Sequence, residues 1–151
     1  MKIDDIIKSS IPMTPSKRAV LNIAVTQNSL AEKIISVLKP FDISSEQFNV
    51  LRILRGQKGQ LANMNLIQER MIARTSNTTR LVDKLLAKEL VTRNICPANR
   101  RKMEVGITQK GLDLLIEVDP LVDGLDDSFS KNLTSAELEQ LNYLLDKFRN
   151  N

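Results

Sequence analysis

The stretch "ARTSNTTRLVDKLL", Ala73–Leu86, decides how the chain is read. Its second half is helical in character. On a wheel turned ~100° per residue, Leu81, Val82, Leu85 and Leu86 cluster, with Thr78 at their edge. Ahead of them stand Thr75, Ser76, Asn77, Thr78 and Thr79. These are mediocre helix formers, being β-branched or competing for the backbone with their own side chains. One of them is enough to cap a helix, so five need a second reason. Ser76, Arg80 and Asp83 lie opposite the apolar cluster, flanked by Thr79, Asn77 and Lys84. The small polar groups thus fall on the first outward turns of a helix expected to begin at Thr75.

That placement has a chemical reading. Short side chains let a backbone approach closely, their donors and acceptors match base edges and phosphate oxygens, and a helix N-terminus attracts phosphate. A recognition helix carries its contacts there when it enters a major groove. Arg80, one turn in, can hold a guanine with two nitrogens or clamp the phosphate backbone. An ordinary surface helix with a redundant cap accounts for the stretch equally well, so its neighbours decide.

Upstream, "NMNLIQERM" reads as a short helix with Met64, Ile67 and Met71 on its apolar side. Two short helices joined this closely form a helix-turn-helix, although the usual turn glycine is missing. Downstream, "LVTRNIC" suits a strand, and "KMEVGI" alternates, with Met103, Val105 and Ile107 on one face. "PANRR" between them reads as a hairpin loop with Pro97 and Asn99 as turn formers. It places Arg100, Arg101 and Lys102 at or near the tip, with no acid before Glu104. Tip charges alone often only keep a loop soluble. After a helix-turn-helix, however, such a hairpin sits as a wing, and a wing arginine can enter an adjacent minor groove.

The remaining elements frame this unit. Thr14 is a candidate N-cap with Pro15 at the first helical position, opening a helix of about 25 residues that should close before Pro40. Val20, Ala24, Ala31, Ile34, Ile35 and Leu38 give it a broad apolar face. Ser44 and Gln47 form a capping-box pattern ahead of Phe48, Leu51 and Leu54, and Gly56 and Gly59 break that helix. Thr108 can cap a helix that Pro120 should kink or end. Thr134 and Glu137 repeat the capping box ahead of Leu138, Leu141, Leu144, Leu145 and Phe148. The expected fold is mainly α with a small β-hairpin wing.

Charge follows the same division. Residues 70–110 carry ten Lys or Arg against Asp83, Glu89 and Glu104, a net of +7, whereas residues 111–151 net −6. A basic middle beside an acidic tail suggests a polyanion-facing element on a scaffold that faces elsewhere. Absences narrow the chemistry. Without His there is no histidine base or ligand, and one Cys excludes an intrachain disulfide or thiolate cluster. Four Phe, one Tyr and no Trp make a poor stacking platform for single strands. The N-terminus lacks the apolar run of a signal peptide, and no window approaches the ~20 apolar residues of a membrane span. The expectation is a cytoplasmic, non-membrane, non-enzymatic protein with no cofactor and no metal. Cys96 is expected to be a buried, inert thiol. Asp119, Asp123, Asp126 and Asp127 lack the alternation of an EF-hand loop and read as a solvated helix bend. Arg52 and Arg55 could contact phosphate, line a pocket or sit on a solvated face.

The run from "ISSEQFNVLRIL" through "NLIQERM", "TSNTTRLVDKLLAKELVTR" and "NRRKMEVGITQKG" resembles the MarR-type winged-helix transcription regulators. The most specific parts are "TRLVDKLL" and the wing ending in "ITQKG". The resemblance implies a winged helix-turn-helix lobe at 44–111, and a homodimer clasped by dimerisation helices at 1–40 and 112–151. It also implies a palindromic double-stranded DNA operator and a small-molecule effector pocket between the dimer region and the lobe. Ser76, Asn77, Thr79 and Arg80 fall on the groove-facing positions, and Arg101 falls on the minor-groove wing arginine. Asn99 stands where Asp is usual, and Glu89 and Ile72 stand where Gly is common. The expected DNA-contacting set is Arg74, Thr75, Ser76, Asn77, Thr79, Arg80 and Lys84 with Arg100, Arg101 and Lys102; no effector-binding residue is assigned. A ligand-responsive repressor is the expected function, and a winged-helix module docking an acidic protein partner is the rival.

Overall fold

A computed structural model describes residues 2–150, with the side chains of Arg100 and Arg101 outside the described set. A short helix α1 (Ile3–Ile6), which the sequence pattern did not reveal, precedes the long α2 (Pro15–Leu38) and is tied to it by an Asp4–Arg18 ion pair of 2.8 Å. Thr14 caps α2 as expected, its hydroxyl oxygen accepting from the Lys17 N–H. The α-helix stops at Leu38, and Pro40 sits in a 3₁₀ turn, Lys39–Phe41. Asp42 then turns the chain with φ 54°.

Helix α3 (Ser45–Arg55) begins with both arms of its capping box: Ser44 Oγ accepts from Gln47 N–H at 3.1 Å, and Gln47 Oε1 accepts from Ser44 N–H at 3.0 Å. Such a cap contributes about 1 kcal/mol. A strand of two residues, β1 (Ala62–Asn63), leads into α4 (Met64–Arg70) and is followed by α5 (Thr78–Ala87). Strands β2 (Val91–Cys96) and β3 (Asn99–Ile107) complete a three-stranded antiparallel sheet of order β1-β3-β2. The expected hairpin therefore has a third strand, with Ala62 paired to Val105. Helix α6 (Gln109–Ser130) runs through Pro120 rather than ending there, and α7 (Ser135–Arg149) closes the chain.

One apolar cluster joins these pieces. Phe48, Leu51 and Leu54 of α3 meet Ile67 of α4, Val82 and Leu85 of α5, and Val105 of β3. Leu38 of α2 and Leu115, Val118 and Val122 of α6 close it from the other side. Burying each such side chain stabilises by about 1.5–3 kcal/mol, so lobe and scaffold share a core. The expected apolar face of α2 behaves differently: Val20, Ala24 and Ile35 are exposed, and only Leu38 is buried. On α7 nothing is buried, and Leu141, Leu144 and Phe148 face outward.

Candidate nucleic-acid interface

Helix α5 starts three residues later than its composition suggested. Asn77 is the N-cap, its side-chain oxygen accepting from Arg80 N–H at 3.1 Å. Thr75 and Ser76 lie in the preceding turn, where Ser76 N–H donates to the Ala73 carbonyl at 3.0 Å. Thr78 is 5% exposed and faces inward, donating its hydroxyl proton to Gln68 Oε1. The five polar residues thus split into two leading residues, a cap, a buried anchor and Thr79 on the surface.

Arg74, Thr75, Asn77, Thr79, Arg80 and Lys84 are exposed, and Ser76 is half-buried. All seven lie on one continuous stretch of turn and helix. The acid on the outward face of α5, Asp83, is paired with Arg93 of β2 at 2.6 Å, which offsets its charge and ties the helix to the wing.

No turn glycine is needed between α4 and α5, because side chains hold the connection. Asn49 of α3 accepts from Ile72 N–H at 2.9 Å, and Gln68 of α4 donates to the Arg74 carbonyl. Ile72 keeps negative φ; Glu89 does not. With φ 60°, Glu89 adopts the left-handed conformation itself, Glu89 N–H bonding to Leu86 O and Leu90 N–H to Leu85 O. This is the Schellman closure that glycine usually supplies. Neither Asn49 nor Gln68 was singled out from sequence. Gln68 carried one signal: it lies on the Met64–Ile67–Met71 stripe, where a polar side chain needs a partner.

The wing is built differently from the expected loop. Cys96 pairs with Asn99 across a tight turn at Pro97–Ala98, while the next pair is Ile95 with Met103. The register shifts between these two pairs, and the three successive cations Arg100, Arg101 and Lys102 fall in the bulged stretch of β3 between Asn99 and Met103. Lys102 is exposed; the side chains of Arg100 and Arg101 lie outside the described residues. Cys96 is half-buried rather than buried.

Two arginines take structural partners. Arg55 is ion-paired with Asp119 of α6, one of the four acids noted in sequence, and the Arg52 guanidinium lies 5.6 Å from the Phe48 ring centre. Two clefts flank the lobe. One, of about 390 Å³, lies between Leu30, Ala31 and Ile34 of α2 and Met71–Ala73 of the inter-helix turn. The other, of about 620 Å³, lies between the 3₁₀ turn and α5 and carries Lys39, Lys84 and Lys88. No described helix is long and apolar enough to cross a membrane.

A helix-turn-helix backed by a three-stranded sheet, with a basic bulge on the hairpin beside the second helix, defines a winged helix-turn-helix protein. Residues 43–103 match the model of the MarR family. The chain is similar to a MarR transcription factor from Planctomyces limnophilus, with 28% identity, 90% of this chain and 98% of that one covered, and a TM-score of 0.71. It is similar to a mutant MarR from E. coli complexed with operator DNA, at 27% identity, 83% and 89% coverage and a TM-score of 0.73. The fold also matches BpsR of Bordetella bronchiseptica, whose DNA binding is regulated by 6-hydroxynicotinic acid, at 22% identity, 93% and 99% coverage and a TM-score of 0.80.

Proposed function

We propose that this chain is a MarR-type regulator: a cytoplasmic, homodimeric, sequence-specific DNA-binding protein that represses transcription by occluding promoter DNA. One observation carries the reading: the exposed polar side chains between Arg74 and Lys84 and the cationic bulge Arg100–Lys102 belong to adjoining elements joined by the Asp83–Arg93 ion pair. In this reading α5 enters a major groove, and Arg100, Arg101 and Lys102 reach the phosphates or the minor groove beside it. The similar E. coli protein in complex with operator DNA supports it.

The second copy follows from the scaffold. Exposed Val20 on α2 and Leu141, Tyr143, Leu144 and Phe148 on α7 leave apolar surface that a partner would cover. The segments 1–40 and 112–151 are accordingly the dimerisation region, and 44–111 is the DNA-binding lobe. Two copies of α5 would then meet successive major grooves about 34–36 Å apart.

An effector in the apolar cleft would touch both α2 and the turn leading into α5. It would shift the lobes only by binding two lobe spacings with unequal affinity. Fluorescence anisotropy with labelled duplex tests the core of the proposal. Binding should weaken steeply with salt as counterions are released. A protein that ignores duplex DNA at low salt but binds an acidic protein would fit the interaction-module reading instead.

A further inference from the structure

We infer that Gln68 of α4, not itself one of the proposed DNA contacts, is a positioning residue that fixes the DNA-facing turn from both ends. The inference rests on the DNA-binding reading and deepens it. A primary amide has a donor end and an acceptor end, and here both are used. Its oxygen accepts the Thr78 hydroxyl proton, and its nitrogen donates to the Arg74 carbonyl. The Arg74 carbonyl can only accept, so it fixes which way round the amide sits.

The two partners bracket Thr75, Ser76 and Asn77, three of the seven proposed contacts on this stretch. Among the described residues this stretch makes two backbone hydrogen bonds: Ser76 N–H donates back to Ala73 O, and Asn77 O accepts from Leu81 N–H within α5, so neither links the turn to the helix. Asn77 caps α5 but holds nothing behind itself. Gln68 is thus the group that ties the turn to the first residue of the helix. Thr78 is buried for this purpose, where an apolar residue would otherwise continue the Val82–Leu85 face.

A turn ordered in the free protein need not be ordered on binding, and that saving appears as affinity. It should appear selectively. Base contacts require the turn in one geometry, whereas attraction of cations to phosphate does not. Loss of Gln68 should therefore reduce preference for the right duplex more than it reduces attraction to any duplex.

The test uses the full chain and two duplexes: one obtained by in vitro selection with the wild type, and one of scrambled sequence. Gln68→Ala removes both hydrogen bonds; Gln68→Met removes them while keeping length and bulk. Both variants should lose about tenfold in affinity for the selected duplex and stay within about twofold on the scrambled one, with the same salt slope. Amide exchange at 74–78 in the free protein should accelerate, while α3 and α6 exchange as before. A variant that merely folds less would lose both affinities in proportion. An unchanged selected-to-scrambled ratio in both variants overturns the role of Gln68 alone. A wild type that prefers no duplex overturns the DNA-binding reading, and this inference with it.

Discussion

The carbonyl oxygen of Leu90 lies where a side chain on Gly111 would begin: a Cβ at Gly111 would sit 2.4 Å from it. Around this contact the end of α5, the end of β3 and the start of α6 are knotted together. Thr108 N–H donates to the same Leu90 carbonyl, the Thr108 hydroxyl donates to the Glu89 carbonyl at 2.8 Å, and Gly111 N–H donates to Thr108 Oγ1. Neither backbone can retreat without breaking a bond. Gly111→Ala should therefore destabilise by about 2–3 kcal/mol, read as a lower urea midpoint at unchanged slope.

Glu89 gives the opposite prediction. Its φ of 60° places a side chain in a conformation that costs an L-residue about 1–2 kcal/mol. Glycine relieves that strain, offset by its greater freedom in the unfolded chain. The 3.6 Å contact with Lys110 is exposed on both sides and contributes little. Glu89→Gly should stabilise by about 0.5–1 kcal/mol in the same denaturation experiment.

Replacing the arginines should separate groove reading from general attraction. Arg80→Ala should change the sequences recovered by selection, because in the proposed docking its side chain, on the first turn of α5, meets base edges. Arg101→Ala should cut duplex affinity about tenfold and flatten the salt dependence, with sedimentation showing the proposed dimer unchanged from wild type. Unaltered binding in the second variant would remove the wing from the interface.

At the last helix, Glu137 accepts from Thr134 N–H at 2.8 Å and from the Thr134 hydroxyl at 3.0 Å. The backbone bond, then the hydroxyl bond, hold its carboxyl below the ordinary carboxylate value. A folded-state pKa depressed below the unfolded one gives stabilisation that is fully present above the unfolded value. It is lost as pH falls through the folded value. NMR titration of Glu137 should accordingly give a midpoint below that of Thr134→Ala protein.

Local chemistry made much of this fold legible. The caps at Thr14, Ser44 and Thr134 each need only residues within three positions, and all three form as read. The alternation of Met103, Val105 and Ile107 likewise places a single inward face, with Val105 fully buried. What escaped depends on partners remote in sequence. Strand β1 is two residues long and exists because Val105 pairs with Ala62. The start of α5 was set too early because five adjacent residues can each cap a helix. Thr78, the one that turns inward, bonds to Gln68, ten positions away. Arg55 is committed by Asp119, 64 positions away. The cationic bulge is a matter of strand register, which composition does not encode.

The most direct measurement is selection of bound duplexes from a random pool by the purified chain, followed by sequencing. Two copies of α5 docked in successive major grooves predict a two-fold symmetric site with half-site centres about 10–10.5 base pairs apart. A pool that stays unenriched at low ionic strength, or enriches without symmetry, would contradict the proposed dimeric DNA reader.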